Sequence, residues 1–414
     1  MEQLTISPVD SSIVAKRQLS TSADIDLIVQ KSQAAHSSWK STSLSKRIEI
    51  LRSSLHHFSS LAPKICSELT MQMGRPARYC QNEIRGYLER ANHMLDIAEE
   101  SLKDIKLPHK EGFDRYITKE SLGVVAVVAA WNYPYLIAVN TLIPALAAGN
   151  SVILKHSSQT PLCAERILES LEMAGLPKNT LQVVHANHDQ TAHLISHTLV
   201  KYVNFTGSVA GGIATQTAST CNPAKFISCG LELGGCDCAY VRADAPLSYS
   251  VENIVDGAFY NSGQSCCGIQ RIYVHSSIFN EFVDEFVKLA NEYCLGDPRK
   301  EETTLGPLVK ASAADSIRDA IREDVEKGAR SLAKKWPIDQ PKSPYLSPTV
   351  LVNVTHDMNV MKEELFGPIV GIMAVSSDDE AVALMNDSQF GLTASIWSSD
   401  FSAAESIGKQ YFSS

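Results

Sequence analysis

Apolar residues recur near a helical spacing between residues 24 and 101. Ala34, Ala35, Trp39, Ile48, Ile50, Leu51 and Leu55 lie between charged positions. This pattern predicts helices, with Pro63 opening one stretch and Gly74-Arg75-Pro76 breaking it. Residues 103–121 change character: Lys103, Lys106, Pro108, Lys110 and Gly112 interleave with Phe113, Tyr116 and Ile117. That reads as an exposed two-stranded excursion. From Leu122 short apolar runs alternate with helical patterns. Strands are predicted over Leu122–Ala130, Ser151–Lys155, Leu181–His185 and Tyr202–Phe205. Helices are predicted over Leu136–Ala148, Pro161–Ala174 and His193–Leu199, with another opened by Gly207. Apolar strands alternating with helices imply a parallel sheet covered on both faces. A second alternation from Ala239 to Trp397 implies a second α/β domain.

Composition narrows the classes. The chain has 414 residues and a formal net charge of -9, with no Lys/Arg block, so no nucleic-acid partner is expected. The longest apolar run, Leu122–Trp131, is far too short to span a bilayer. The first 20 residues carry neither an apolar signal core nor an Arg-rich amphipathic pattern. Ten irregularly spaced cysteines then read as reduced thiols in a cytoplasmic protein.

Three segments carry candidate chemistry. Asn261-Ser262-Gly263-Gln264-Ser265-Cys266-Cys267 follows a helical run, Val251–Phe259, and precedes a strand, Arg271–Val274. A thiol in a Gly/Ser turn at a helix tip is expected to be exposed and close to backbone N–H groups, which would lower its pKa. Leu231-Glu232-Leu233-Gly234-Gly235 sets a carboxylate between leucines, where partial burial would raise its pKa toward that of a general base. Trp131-Asn132-Tyr133-Pro134 follows an apolar strand, and an Asn there can donate its amide N–H to an oxyanion.

Neither G-x-G-x-x-G nor a phosphate loop ending in G-K-[ST] occurs. Instead Phe205-Thr206-Gly207-Ser208-Val209-Ala210-Gly211-Gly212 joins a strand to a helix, and its small residues let a pyrophosphate approach the helix N-terminus. Lys155 closes a strand where it could bond ribose or phosphate oxygens. His185, His188, His193 and His197 have metal-like spacing, but no metal is expected. Cys236 and Cys238 with Cys266 and Cys267 suggest a thiolate zinc site or a redox pair, but the spacing is unusual for structural zinc and no metal is expected.

These motifs stand in one order, and Gly296-Asp297-Pro298, Gly306-Pro307, Glu363-Glu364-Leu365-Phe366-Gly367-Pro368 and Asn386 before Gly391-Leu392 follow. Together, over roughly residues 20 to 410, they resemble the aldehyde dehydrogenase superfamily. The resemblance implies a Rossmann-like cofactor domain and a second α/β catalytic domain with a small β oligomerisation excursion. The implied boundaries are 1–102 and 122–230 for dinucleotide binding, 103–121 for the excursion and 231–414 for catalysis. It implies NAD(P)-dependent oxidation of a small-molecule aldehyde to an acid. Cys266 is similar to the nucleophile, Asn132 with the Cys266 N–H to the oxyanion hole, and Glu232 to the water-activating base. Trp131, Lys155, Ser158, Gly207, Ser208, Gly212, Leu233, Glu364 and Phe366 match cofactor-binding positions. Cys267 matches a neighbour of the nucleophile.

Departures from the pattern shape the expectations. Cys236 stands where many relatives have Lys, and Thr141 where several carry a Lys linked to proton relay. Ser158 stands where NAD-preferring relatives often have Glu, so NAD is expected with NADP possible. The chain stops at Ser414, before a family segment that completes the pocket and pairs across subunits. The resemblance therefore implies an incomplete catalytic domain, and a homo-oligomer if the tail were complete. The alternative is an inactive short form that binds cofactor or partners.

Overall fold

The structure, a computed structural model, describes residues 2–223 and 225–411. The chain divides into two compact units. One comprises Met1–Ile6, Ser12–Gln72 and Tyr79–Leu233, the other Ser7–Ser11, Met73–Arg78 and Gly234–Ser414.

The first unit opens with an antiparallel hairpin, β1 (Glu2–Ile6) and β2 (Ile13–Gln18). The sequence pattern did not predict it. The excursion is a second antiparallel pair, β3 (Ile105–Lys106) and β4 (Tyr116–Ile117). It leaves Ile105, Phe113, Tyr116 and Ile117 exposed. The main sheet comprises β5 (Val124–Ala129), β6 (Ser151–His156), β7 (Leu181–Val183), β8 (Val200–Thr206) and β9 (Ser228–Glu232). Its order is β7-β6-β5-β8-β9, and every neighbouring pair is parallel. All six residues of β5 are buried, which is why that segment reads as an unbroken apolar run. On one side Val124, Ala126, Ile153 and Val203 pack with Ile25, Val29 and Leu194. Elsewhere in the unit Phe58 stacks on Tyr87 at 4.1 Å and meets Tyr135 edge-on at 5.1 Å.

The helix expected over His193–Leu199 lies earlier, at His188–Ser196. Asn187 caps it and forms a reciprocal capping box with Gln190, so the start is set by a polar pair and not by the apolar spacing.

The second unit holds β10 (Asp237–Val241), β11 (Ile269–His275), β12 (Arg330–Ser331), β13 (Thr349–Val352), β14 (Ile369–Val375) and β15 (Ala394–Trp397). The order is β12-β13-β14-β11-β10-β15, parallel except for the short edge strand β12. Phe259, Phe282 and Phe286 fill one side of this sheet. Tyr240, Leu351, Met361 and Met385 belong to a separate buried cluster of the same unit. The mixed α/β architecture with parallel sheets is the one the residue pattern predicts. Among the described residues no helix is long and apolar enough to cross a membrane.

Candidate active site

In the first unit the singled-out residues gather at the carboxyl ends of four adjacent strands. Trp131 and Asn132 follow β5, Lys155 is the last residue but one of β6 with Ser158 just beyond the strand, Gly207 and Ser208 follow β8, and Glu232 ends β9. Ligands of open parallel sheets bind at such ends. Asn132 is buried, and the helix Pro134–Ala147 begins two residues after it. Its start is held by Glu83, a buried carboxylate whose Oε1 accepts from the Tyr135 N–H at 2.9 Å and the Leu136 N–H at 3.1 Å. A negative charge at a helix N-terminus stabilises it by roughly 0.3–2 kcal/mol. Glu83 carried no sequence signal, because it caps a helix 52 residues away.

Lys155 is half-buried, and burial lowers its pKa. Next to it, burial drives His156 down to about 4. Its Nδ1 accepts from the Ser157 N–H and the Thr160 hydroxyl, both at 3.0 Å. The proton therefore sits on Nε2 and is donated to the Pro134 carbonyl at 3.2 Å. Ser158 is exposed. Its carbonyl accepts from Thr5 at 2.8 Å and from Gln3 at 3.3 Å, so the N-terminal hairpin holds this loop from outside.

The helix Val209–Thr220 starts on a glycine-rich turn. A Cβ on Gly207 or Gly211 would come within 2.7 or 2.5 Å of the Phe205 ring, and one on Gly212 within 2.5 Å of Leu233. Ser208 caps the helix by accepting from the Gly211 N–H at 3.2 Å, and residues 208–210 are exposed. The first N–H groups of a helix lack intrahelical partners, so this end fits the diphosphate of a dinucleotide.

In the second unit the site residues lie at the amino ends of the strands. Asp237 begins β10, Cys266 precedes β11, Glu364 and Phe366 precede β14, and Thr393 precedes β15. Glycines lock these loops together. A Cβ on Gly234 would collide with the Glu364 carboxylate, one on Gly235 with the Cys266 carbonyl, and one on Gly263 with the Gly367 carbonyl. The Gly235 N–H donates to Glu364 Oε1 at 3.2 Å. Burial pushes the Glu364 pKa up against that bond.

The cysteine turn reverses the chain through three consecutive left-handed residues, Asn261, Ser262 and Gly263, with φ of 56°, 58° and 68°. Non-glycine residues there cost on the order of 1–2 kcal/mol each. Local bonds offset this. Asn261 donates to the Gln264 carbonyl at 3.1 Å and accepts from Arg75 at 3.2 Å, while Ser262 donates to the Gly306 carbonyl at 2.9 Å. Gln264 donates to the Asn261 carbonyl and accepts from the Val309 N–H. Behind the turn, buried Gln270 donates to the Val360 and Glu363 carbonyls and accepts from the Leu365 N–H. Arg75 and Gln270 went unread in the sequence because their partners are remote.

Two electrostatic expectations are overturned. The Cys266 thiol is pushed well above the ordinary thiol range, not below it. Its hydrogen bond with the Cys267 thiol comes first and burial next, with one Cys267 N–H opposing. The thiol lies past the C-terminal end of the helix Leu247–Phe259, where carbonyls and not N–H groups are unpaired, so the helix gives a thiolate no help. Three of the turn's own N–H groups, those of Gln264, Ser265 and Gly268, bond to carbonyls within it. Glu232 is exposed, not partly buried, because it stands at the last position of an edge strand.

Two of the clustered histidines bond to carboxylates: His193 with Asp26 at 2.7 Å and His185 with Glu165 at 3.2 Å. Among the described residues no group of three His, Cys, Asp or Glu side chains could hold a metal. Asp237 emerges only in three dimensions. It is a buried carboxylate accepting from both the amide and the hydroxyl of Thr393.

Residues 2–412 match the model of the aldehyde dehydrogenase family. A peroxisomal aminoaldehyde dehydrogenase of Pisum sativum is 32% identical over 416 residues, covering 98% of this chain and 82% of the relative. The succinate semialdehyde dehydrogenase [NAD(P)+] Sad of Escherichia coli is 29% identical, covering 98% and 86%. Among solved structures, PnpE in complex with nicotinamide adenine dinucleotide superposes with a TM-score of 0.94 at 29% identity, covering 100% of this chain and 85% of that one.

Proposed function

Because this chain belongs to the aldehyde dehydrogenase family, an NAD(P)-dependent class of oxidoreductases, we propose that it oxidises its aldehyde through a covalent bond to Cys266. The observation that carries this reading is the glycine-locked turn, which holds the Cys266 backbone against Gly235 and leaves its side chain half-buried.

The thiol gives its proton to solvent water and its sulfur attacks the aldehyde carbon. The oxyanion that forms is held by the Asn132 amide and the Cys266 N–H. A nicotinamide held at this site would supply the hydride acceptor, so that the carbon bonded to Cys266 could give up its hydride and become a thioester on that residue. Glu232 then accepts a proton from the water that cleaves the thioester, and the acid departs. Its exposure suits this task, since it reaches solvent water directly. Gly207, Ser208 and Gly212 would cradle the diphosphate, with Lys155 and Ser158 on the adenosine ribose. Trp131, Leu233, Glu364 and Phe366 would complete the cofactor contacts. Ser158 brings no carboxylate to repel a 2′-phosphate, so both NAD and NADP are accommodated.

Rapid mixing with an aldehyde tests the reading. Cys266→Ala should abolish formation of reduced cofactor while binding of the oxidised cofactor persists. Glu232→Gln should give a burst of reduced cofactor followed by a slow steady state. Loss of activity in Cys267→Ala with retention in Cys266→Ala would overturn the assignment of the nucleophile. An equal fall of burst and steady state in Glu232→Gln would remove Glu232 from the hydrolytic step.

A further inference from the structure

We propose that the N-terminal hairpin sets cofactor preference: Thr5, with Gln3, holds the Ser158 carbonyl, so that this residue meets the cofactor with its N–H and hydroxyl, which favours the 2′-phosphate of NADP. The inference rests on the reading that puts Ser158 at the adenosine ribose. Thr5 and Gln3 act through Ser158 and are positioning residues.

The loop between β6 and the helix Pro161–Met173 is clamped from two sides. From the hairpin, the Thr5 hydroxyl donates to the Ser158 carbonyl at 2.8 Å and the Gln3 side-chain amide donates to it at 3.3 Å. Thr5 is 1% exposed, so its hydroxyl is shielded from competing water. From the helix Ala62–Met73, the Gln72 carbonyl accepts from the Gln159 side-chain amide at 2.5 Å, and that amide also donates to the Ile6 carbonyl at 3.0 Å. Gln72 Oε1 accepts from the Leu162 N–H at 3.1 Å, which ties the start of the next helix to the same residue. The hairpin is pinned in turn to that helix, because Arg17 of β2 donates twice to the Glu165 carboxylate, at 2.6 and 2.7 Å. Within this clamp Ser158 is the exposed residue: Thr160 is buried, and Ser157 and Gln159 are half-buried. Among the described residues no protein group bonds to the Ser158 N–H or hydroxyl.

The chemistry follows from which groups the clamp consumes. A carbonyl oxygen accepts hydrogen bonds and cannot donate them, and every oxygen of a 2′-phosphate is an acceptor carrying negative charge. A carbonyl offered to that phosphate repels it, whereas one offered to the ribose hydroxyl of NAD accepts its proton. Thr5 and Gln3 commit the Ser158 carbonyl to the hairpin. What the exposed residue has left is a backbone N–H and a hydroxyl, and both can donate to a phosphate oxygen. Backbone N–H groups in turns are anion-binding donors. Release of the carbonyl would let the peptide turn and present an acceptor, the arrangement that suits NAD.

Calorimetric titration of the full chain with NAD and with NADP tests this without turnover. Thr5→Val keeps the side-chain shape and removes the donor. It should raise the ratio of the NADP Kd to the NAD Kd about fivefold, the factor that one ordinary hydrogen bond carries. Thr5→Ser keeps the donor and should keep the parent ratio. An unmoved ratio in Thr5→Val would overturn the proposal, and so would an equal loss of affinity for both cofactors, which is what a merely structural clamp predicts. A ratio raised as much in Thr5→Ser would overturn it too. Should Thr5→Val fail to fold, Gln3→Leu decides: at this half-buried position it should move the ratio the same way by about twofold, and no movement overturns the proposal. Ser158→Glu, titrated alongside, separates the two readings. If it shifts the ratio and Thr5→Val does not, the role of the hairpin fails while the ribose assignment stands. If neither shifts the ratio, the ribose assignment fails as well.

Discussion

Protonation of His156 should destabilise the first unit, and the size of the effect follows from the ring's surroundings. The side chain is 4% exposed and its pKa drops from 6.5 to about 4, with burial the leading cause. Both ring nitrogens are occupied in the neutral form, Nδ1 by two donors and Nε2 by a carbonyl. A second proton would have to enter at Nδ1, where the Ser157 N–H and Thr160 hydroxyl already point. The folded value lies below the unfolded one, so the unfolded chain binds the extra proton first. Stability is therefore full above pH 6.5, falls as pH drops from 6.5 toward 4, and is flat again below. The loss over that window is about 3 kcal/mol, from 1.36 kcal/mol per pKa unit. Urea denaturation read through hydrogen exchange of the β5 and β6 amides reports this unit. His156→Gln keeps a donor and an acceptor without a titrating proton and should flatten the curve by about that amount. An unchanged acid slope in the variant, or a ring that titrates near 6.5 in the folded protein by NMR, would refute the reasoning.

Two further outcomes follow. Gly235→Ala should lower turnover on the order of tenfold to a hundredfold while cofactor affinity stays near normal. The new methyl meets the Cys266 carbonyl, which cannot rotate away, and small misplacements of reacting groups are costly; steady-state kinetics within threefold of the parent would contradict it. Ser158→Glu should favour NAD over NADP, because a carboxylate accepts the ribose hydroxyls and repels a 2′-phosphate; equal changes in the Kd of both cofactors would place Ser158 away from the ribose.

Much of the fold was legible because its signals are local. The run Val124–Ala129 reads as a buried parallel strand from six consecutive apolar side chains. Pro161 marks a helix start, whereas the helix expected from Leu136 begins two residues earlier, at Pro134. Pro63 marks another to within one residue of Ala62, the first residue of its helix. The hairpin β1/β2 was not legible: Leu4 and Ile6 alternate with Gln3 and Thr5, but Ile13-Val14-Ala15 is an unbroken apolar run. Its loop, Ser7–Ser11, belongs to the other unit, and no periodicity encodes that exchange.

The candidate chemistry divides the same way. The order of motifs along the chain specified which cysteine, asparagine and glutamate to consider, since covalent and hydrogen-bonding roles depend on residue type. What the tertiary structure decided was their electrical environment. Cys266 lies in a glycine-rich turn, as read, but the turn follows a helix's carbonyl end and shares its thiol hydrogen bond with Cys267. Glu232 is flanked by leucines yet exposed at an edge strand. Asp237, 156 residues before Thr393, shows its burial and its partner only in the folded chain. Burial and charge are properties of neighbours in space, whereas side-chain pattern is a property of neighbours in the chain, and for these three residues the two disagree.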